Sequence, residues 1–225
     1  MVEHRPFDFT ELVDETQPTG KRLYITPEGN KYPSVTTILG AMSDKSHLVA
    51  WRDRMGHEKA DAYTRQAANR GTLLHAILED YILGRLKPSS EYNPIIWNMF
   101  SGCRKHIDKH INLVYNVEFC LYSDRLKTAG RCDLLCQWDG VDTVLDWKSS
   151  TRPKKKEWIT GYFHQKTLYC MMVYERIGLR IPQIITFISN EEDPEPQIFL
   201  EKTSNFVYDA HKIVKDFHNE KRIKD

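Results

Sequence analysis

The chain has 225 residues with ordinary apolar and charged fractions, and its net charge is only +1 because 32 basic residues face 31 acidic ones. That length can bury one well-formed core. The composition excludes collagen-like, low-complexity and helical membrane-spanning classes, and it excludes a global positive field as the means of attracting nucleic acid.

The start, MVEHRPFDFTELVDE, is acidic and has no apolar stretch, so it reads neither as a secretory signal nor as an Arg-rich transit peptide. The expectation is a reducing interior. That means the cytoplasm (a host's, if the protein is viral), or the mitochondrial matrix if the sequence is a trimmed one. The five cysteines are odd in number and include no CxxC pair, which argues against a disulfide framework or a zinc knuckle.

In chain order, residues 1–20 have no clear period and read as a lead-in. RLYIT, PEGN and KYPSV form a β-hairpin pattern with Gly29 in the turn. Asp44 is a candidate helix cap, and residues 46–68 carry a helical pattern with a break near Gly56. Gly71 and Thr72 open a second helix, TLLHAILEDYILG, whose Leu74, Ile77, Leu78, Tyr81 and Ile82 follow the helical period. Asn93 and Pro94 start a third helix with a buried stripe through Ile96, Met99, Phe100, Cys103 and Ile107. Three strands follow, LVYNVEFCLYS, RCDLLCQWD and TVLDWKSS, the last two joined at Asp139–Gly140. A helix over roughly 157–177, strands QIITFIS and PQIFLE, and an amphipathic C-terminal helix complete the chain. The expected architecture is a mixed α/β sheet flanked by helices, in a single domain: hairpin plus helical region over 21–110, αβ core over 111–225.

The chemistry concentrates between Gly130 and Tyr169. Asp133 lies in one apolar strand, and Cys132, Leu134 and Cys136 are expected on its opposite face. Asp146 and Lys148 are two apart on the next strand and so share a face, while Leu145 and Trp147 share the other. Carboxylates on adjacent strands suit Mg²⁺ or Mn²⁺, with the lysine placed to orient water or stabilise a charged transition state during phosphodiester hydrolysis. The competing reading is a surface Asp–Lys ion pair of little energetic weight. His75, in an apolar helix, reads on its own as a core histidine. Gln165 and Tyr169 share one helix face, and on their own they read as a half-buried polar pair. His106 and His110 have helical spacing but lack the glutamate of a zinc-protease motif, and read as surface residues. Arg131, Ser149, Arg152, Lys154, Lys155, Lys156 and Trp158 are candidates for nucleic-acid contact, the cations to phosphates and the indole to bases; a solvated loop is the alternative.

Taken together, RGTLLH, VEFCLYS, GRCDLL, VLDWKSS and QKTLY, in that order, resemble the RecB-type branch of the PD-(D/E)XK nucleases. YPSVTTIL, a tryptophan-bearing helix and RQAANRGTLLH are similar to its subgroup of mitochondrial genome maintenance exonucleases and related phage exonucleases. The likeness runs from about Leu23 to Ser189. It implies a restriction-endonuclease-like core and a Mg²⁺- or Mn²⁺-dependent nuclease, read here as a DNA exonuclease acting on single strands or single-stranded flaps. A structure-specific DNA or RNA endonuclease and a catalytically silent nucleic-acid-binding module are the alternatives. The resemblance further implies metal ligation by His75, Asp133, Asp146 and the Trp147 carbonyl, and catalysis by Asp133, Asp146, Lys148, Gln165 and Tyr169. Glu118 stands at an acidic position of the preceding strand with no firm role. Cys132 occupies the place of the proline in the superfamily's name. No C-terminal cysteine cluster is present, so no iron–sulfur staple is expected.

Overall fold

The computed structural model describes residues 2–17 and 22–224, with side chains described up to residue 220. Two short strands, β1 (Glu3–His4) and β2 (Val13–Thr16), lie in the aperiodic lead-in. Their partners are supplied from elsewhere: β1 runs parallel to β5 (Ile111–Ser123), and β2 pairs antiparallel with β3 (Arg22–Ile25). Local pattern carries no trace of such pairing, because the hydrogen bonds come from distant backbone. Residues 18–20 of the lead-in lie outside the described residues. The hairpin of β3 and β4 (Lys31–Pro33) turns at Gly29, whose φ of 83° favours glycine.

Helix α1 (Val35–Met42) is capped by Ser34, whose hydroxyl accepts from the Thr37 amide at 3.0 Å. Asp44 accepts from the Ser46 amide at 2.8 Å at the start of α2 (Ser46–Met55), and Gly56 breaks the chain before α3 (His57–Ile82). Gly71 does not restart a helix as the pattern suggested; α3 runs through it unbroken. A Cβ there would stand 3.6 Å from the Ser149 hydroxyl, an ordinary contact distance, so α3 packs at this point against the strand that carries Lys148 without requiring a glycine. Helix α4 (Pro94–His110) starts at Asn93, which accepts from the Ile95 and Ile96 amides.

The main sheet has the order β1, β5, β6 (Thr128–Trp138), β7 (Val141–Ser150), β8 (Gln183–Asn190), β9 (Gln197–Lys202). Strands β5, β6 and β7 form an antiparallel meander, β7 and β8 are parallel, and β9 returns antiparallel. Asp139 and Gly140, with φ of 50° and 79°, form the β6–β7 turn. Helix α5 (Thr160–Ile177) makes the parallel crossover, and α6 (Val207–Lys224) closes the chain. The fold is thus a mixed α/β structure with a central mixed sheet between two helical layers.

Each face of the sheet has its own core. Leu74, Ile77 and Leu78 of α3 and Met99, Phe100 and Cys103 of α4 pack with Leu134, Leu145, Trp147 and Phe187. On the other side Val35, Ile38, Phe163, Leu168, Met172, Val214 and Phe217 pack with Phe119, Cys132, Leu135, Val144 and Ile184. The expected face sharing of Cys132, Leu134 and Cys136 is therefore not observed. Phe119 and Cys132 pack on the α5 side, whereas Val117, Leu134 and Cys136 pack on the α3–α4 side. The register passes from Val117–Leu134 to Phe119–Cys132 with Glu118 and Asp133 between them. Glu118 has φ of 46°, left-handed backbone that a glutamate seldom adopts, and both strands change faces at this point. Among the described residues no helix is long and apolar enough to cross a membrane.

Gly102 of α4 fixes how closely the β8–β9 connection can lie: an added Cβ would meet the Pro194 carbonyl oxygen at 1.6 Å. Backbone cannot yield as a flexible side chain can, so Gly102→Ala is expected to destabilise the fold by about 1–3 kcal/mol or more. A urea midpoint equal to the wild type's would contradict this packing.

Candidate active site

The site forms where β6 and β7 part. Their ladder runs from Trp138–Val141 to Leu134–Leu145 and stops there. Asp133 and Asp146 are the next residues on each strand. The Trp147 amide, left without a ladder partner on β6, donates to Asp133 Oδ2 at 2.8 Å. A buried backbone N–H must find an acceptor, and here the acceptor is a candidate functional carboxylate. Strand alternation holds on β7 as expected: Leu145 and Trp147 pack toward α3 and α4, and Asp146 and Lys148 face α5.

Helix α3 brings His75 to the same point from 58 positions earlier than Asp133. His75 Nε2 lies 2.8 Å from the Trp147 carbonyl oxygen, which can only accept, so Nε2 carries the hydrogen. Nδ1 faces Glu118 Oε1 at 3.3 Å and Asp133 Oδ2 at 3.6 Å. Burial alone would lower the imidazole pKa. The Glu118 carboxylate on Nδ1 and the charge of Asp133 outweigh it and raise the value to about 9. Burial, and then the neighbouring Asp146, push the Asp133 carboxyl up. Asp146 moves the other way: burial opposes its charge, but Lys148 and Lys166 hold it below the usual carboxylate range.

His75, Glu118 and Asp133 each offer a ligand atom within 4.8 Å of the others, a set that could hold a metal ion. Asp146 adds a second observation. It is 1% exposed, and its Oδ1 has no hydrogen-bond partner among the described residues, while Oδ2 meets lysine ammonium groups. Lys148 Nζ stands 2.5 Å from Oδ2 and Lys166 Nζ 3.9 Å, both as ion-pair contacts. A buried carboxylate oxygen without a partner is costly in a finished structure, and a divalent cation would satisfy it. Oxygen donors with one imidazole fit Mg²⁺ or Mn²⁺ better than a thiolate-seeking metal.

Lys166 escapes a reading of motifs alone. Its side chain is fully buried, donating to the Tyr162 carbonyl at 2.7 Å, and burial lowers its pKa to about 8 against the pull of Asp146. A signal was present: Tyr162, Phe163, Tyr169 and Cys170, the helical neighbours of position 166, are all apolar or aromatic, so this lysine had to lie on the buried stripe. Gln165 instead donates to the Tyr169 hydroxyl at 3.3 Å. The Tyr169 ring lies over Gly130, where a Cβ would stand 2.8 Å from Cε1. Burial pushes the Tyr169 phenol up, and Asp133 and Asp146 add to the effect. The pair therefore backs the site, with no direct contact to Lys148 among the described hydrogen bonds.

The residues considered for nucleic-acid contact divide into two groups. Ser149 sits opposite Gly71, Arg152 is 81% exposed beside Glu192, and Lys155 lies over the ring of the exposed Trp158. The Lys154 backbone is pinned to Gln197, and the residue lines a groove together with Trp158 and Tyr162. Arg131 and Lys156 are engaged elsewhere: Arg131 donates to the Glu118 carbonyl at 2.6 Å, and Lys156 pairs with Glu201 of β9. His106 and His110 stack on one another and pair with Glu195 and Asp139 on the surface.

The His75 imidazole is expected to titrate near 9 in the metal-free protein, against about 6.5 when unperturbed. Since the folded value lies above the unfolded one, its contribution to stability is complete below about 6.5 and is lost as pH rises through about 9. An NMR titration of the ring reads this directly, and Glu118→Gln should bring the midpoint down. A wild-type midpoint at the ordinary value would contradict the Glu118 contact.

No protein-family model matches the chain. Among curated proteins it is similar to the mitochondrial genome maintenance exonuclease 1 of Homo sapiens, at 26% identity over 139 residues, 59% of this chain and 40% of that protein. The Mus musculus protein of the same name is 28% identical over 153 residues, 62% and 43% of the two chains, and the Xenopus tropicalis one 28% over 129 residues, 54% and 37%. The chain spans about two fifths of the length of these relatives. This distant likeness to proteins named as exonucleases, on a fold with a buried carboxylate and histidine cluster, supports a nuclease relationship.

Proposed function

We propose that the chain is a single nuclease domain of the RecB-type PD-(D/E)XK class, a metal-dependent exonuclease that hydrolyses phosphodiester bonds of single-stranded DNA or single-stranded flaps. The observation that carries this reading is the Asp133, Asp146 and Lys148 cluster at the parting of β6 and β7, with the buried Asp146 Oδ1 left without a partner. His75, Asp133 and Asp146 would hold Mg²⁺ or Mn²⁺, with Glu118 beside them. A divalent cation there supplies Lewis acidity, lowering the pKa of a water and taking up charge on phosphate oxygens.

The chain's own residues do the rest. The Trp147 backbone couples the site at both ends, its amide orienting Asp133 and its carbonyl orienting His75. The carbonyl can serve as a metal ligand only when His75 releases it. Lys148, paired with Asp146 and beside the carboxylates that would hold a cation, would orient the attacking water or stabilise charge on the phosphate. Lys166 stays on the buried side of Asp146 and keeps a positive charge behind it. Gln165 and Tyr169 hold α5 against Gly130 and so set the distance from Lys148 to its neighbours. Ser149, Arg152, Lys154, Lys155 and Trp158 lie along the proposed strand path, with Arg131 and Lys156 supporting from their ion pairs. Five free, buried cysteines suit a reducing compartment such as the cytoplasm or the mitochondrial matrix.

End-labelled linear single strands and covalently closed circles, incubated with Mg²⁺ or Mn²⁺, test this. Wild type is expected to degrade the linear strand and spare the circle, chelator should stop it, and Lys148→Ala should lose roughly 100-fold or more in rate. Equal degradation by wild type and Lys148→Ala, or none by wild type with either metal, would sink the reading. Cut circles would replace the exonuclease with an endonuclease.

A further inference from the structure

A groove of about 840 Å³ lies between α2, α3 and the segment leading into α5. That is the size of a small-ligand cleft, roughly 300–1,000 Å³. Trp51 and Arg54 reach it from α2, Tyr63 from α3, Lys154 and Trp158 from the connecting segment, and Tyr162 from α5. We propose that this groove is a base-stacking cleft that takes consecutive unpaired nucleotides of the strand entering the site, gripped by Trp51, Tyr63, Trp158 and Tyr162. The inference rests on the nuclease reading for the identity of the strand, and on the groove itself for the rest.

Three observations carry it. The first is uncovered aromatic surface. Trp158 is 67% exposed and Tyr63 41%, and α2 has no buried residue, so its tryptophan does not serve to anchor a core. Trp51 packs edge-on against Tyr63, with centroids 5.7 Å apart, which braces both rings at the groove. Exposed aromatic patches of this kind mark contact surfaces.

The second is charge. Arg54 and Lys154 line the groove, Lys155 sits 5.4 Å over the Trp158 ring, and none of the described lining residues is a carboxylate. The neighbouring groove that Trp51 and Tyr63 also line contains Glu191 and Glu192 together with Arg152, the glutamates pairing with Arg70 and Arg152. The groove without carboxylates is therefore the more favourable of the two for the bases and phosphates of a polyanion.

The third is continuity with the reacting centre. The Tyr162 ring that closes the groove lies 5.2 Å from Lys148 Nζ, which itself pairs with Asp146. A base held on Tyr162 would bring its phosphate toward that lysine. Bases in a duplex are stacked on one another and have no free faces for these rings, so the cleft selects unpaired nucleotides.

The test is binding of the full chain, in chelator, to a labelled oligothymidylate and to an equally long strand of abasic sugar-phosphate units. Wild type is expected to bind the thymidylate at least 10-fold more tightly. Trp51→Ala and Trp158→Ala should each weaken thymidylate binding by about 5-fold or more and leave abasic binding nearly unchanged, as loss of a stacked base does. Arg54→Ala should weaken both strands alike. Equal affinity for the two strands, equal losses on both in the tryptophan variants, or no measurable thymidylate binding would overturn the cleft. Cleavage assays of wild type with Mn²⁺ separate the two claims. Cleavage without base preference defeats the cleft alone, and base preference without cleavage defeats the nuclease reading alone.

Discussion

The interaction on which the rest depends is the hydrogen bond from the Trp147 amide to the Asp133 carboxylate. It exists because β6 and β7 stop pairing after Leu134 and Leu145, leaving a buried amide that needs an acceptor. Had the ladder continued, Asp133 and Asp146 would be opposite each other in a closed sheet, with no room between them for a water, a cation or a phosphate. The split also turns the Trp147 carbonyl toward α3, where His75 meets it. One peptide unit thus ties the sheet to the histidine helix.

The same split requires compensation on the neighbouring strand. Glu118 takes a left-handed backbone conformation opposite Asp133, and both strands change faces there. A glutamate in that region costs of the order of 1–3 kcal/mol, and such strain persists where surrounding structure over-determines it. Arg131 secures the strained peptide by donating to the Glu118 carbonyl, which gives this arginine a structural task in addition to any contact with a strand. Charge is balanced with similar economy. Three carboxylates meet two lysines and an imidazole raised to about 9, so the metal-free site is close to neutral despite its burial.

Much of this was legible in the sequence where the information is local. The β6–β7 turn at Asp139–Gly140, the cap at Asn93, the break at Gly56 and the shared face of Asp146 and Lys148 all follow from short-range rules. Asp44, by contrast, stands one residue ahead of the Lys45 cap and only accepts from Ser46. What was not legible depends on distant partners. Strands β1 and β2 have no pattern of their own, Gly71 has the look of a helix start but lies inside one long helix, and Cys132 left the face that alternation assigned to it because of a kink one residue away. Lys166 was missed because motif spacing favours Gln165 and Tyr169; helical position, not motif, betrays it. Glu118 could be named from the sequence but given no task until its carboxylate was seen on His75.

The central claim is that Asp133, Asp146 and His75 form one divalent-cation site. Titrating the protein with Mn²⁺ and following the electron paramagnetic resonance of the free hydrated ion measures this without reference to any substrate. The account predicts saturable loss of the free-ion signal by wild type, with affinity rising as pH approaches about 9 because His75 must shed its proton, and a loss of at least about 10-fold in affinity on Asp133→Asn. Undiminished binding by Asp133→Asn, or no binding by wild type, would contradict it.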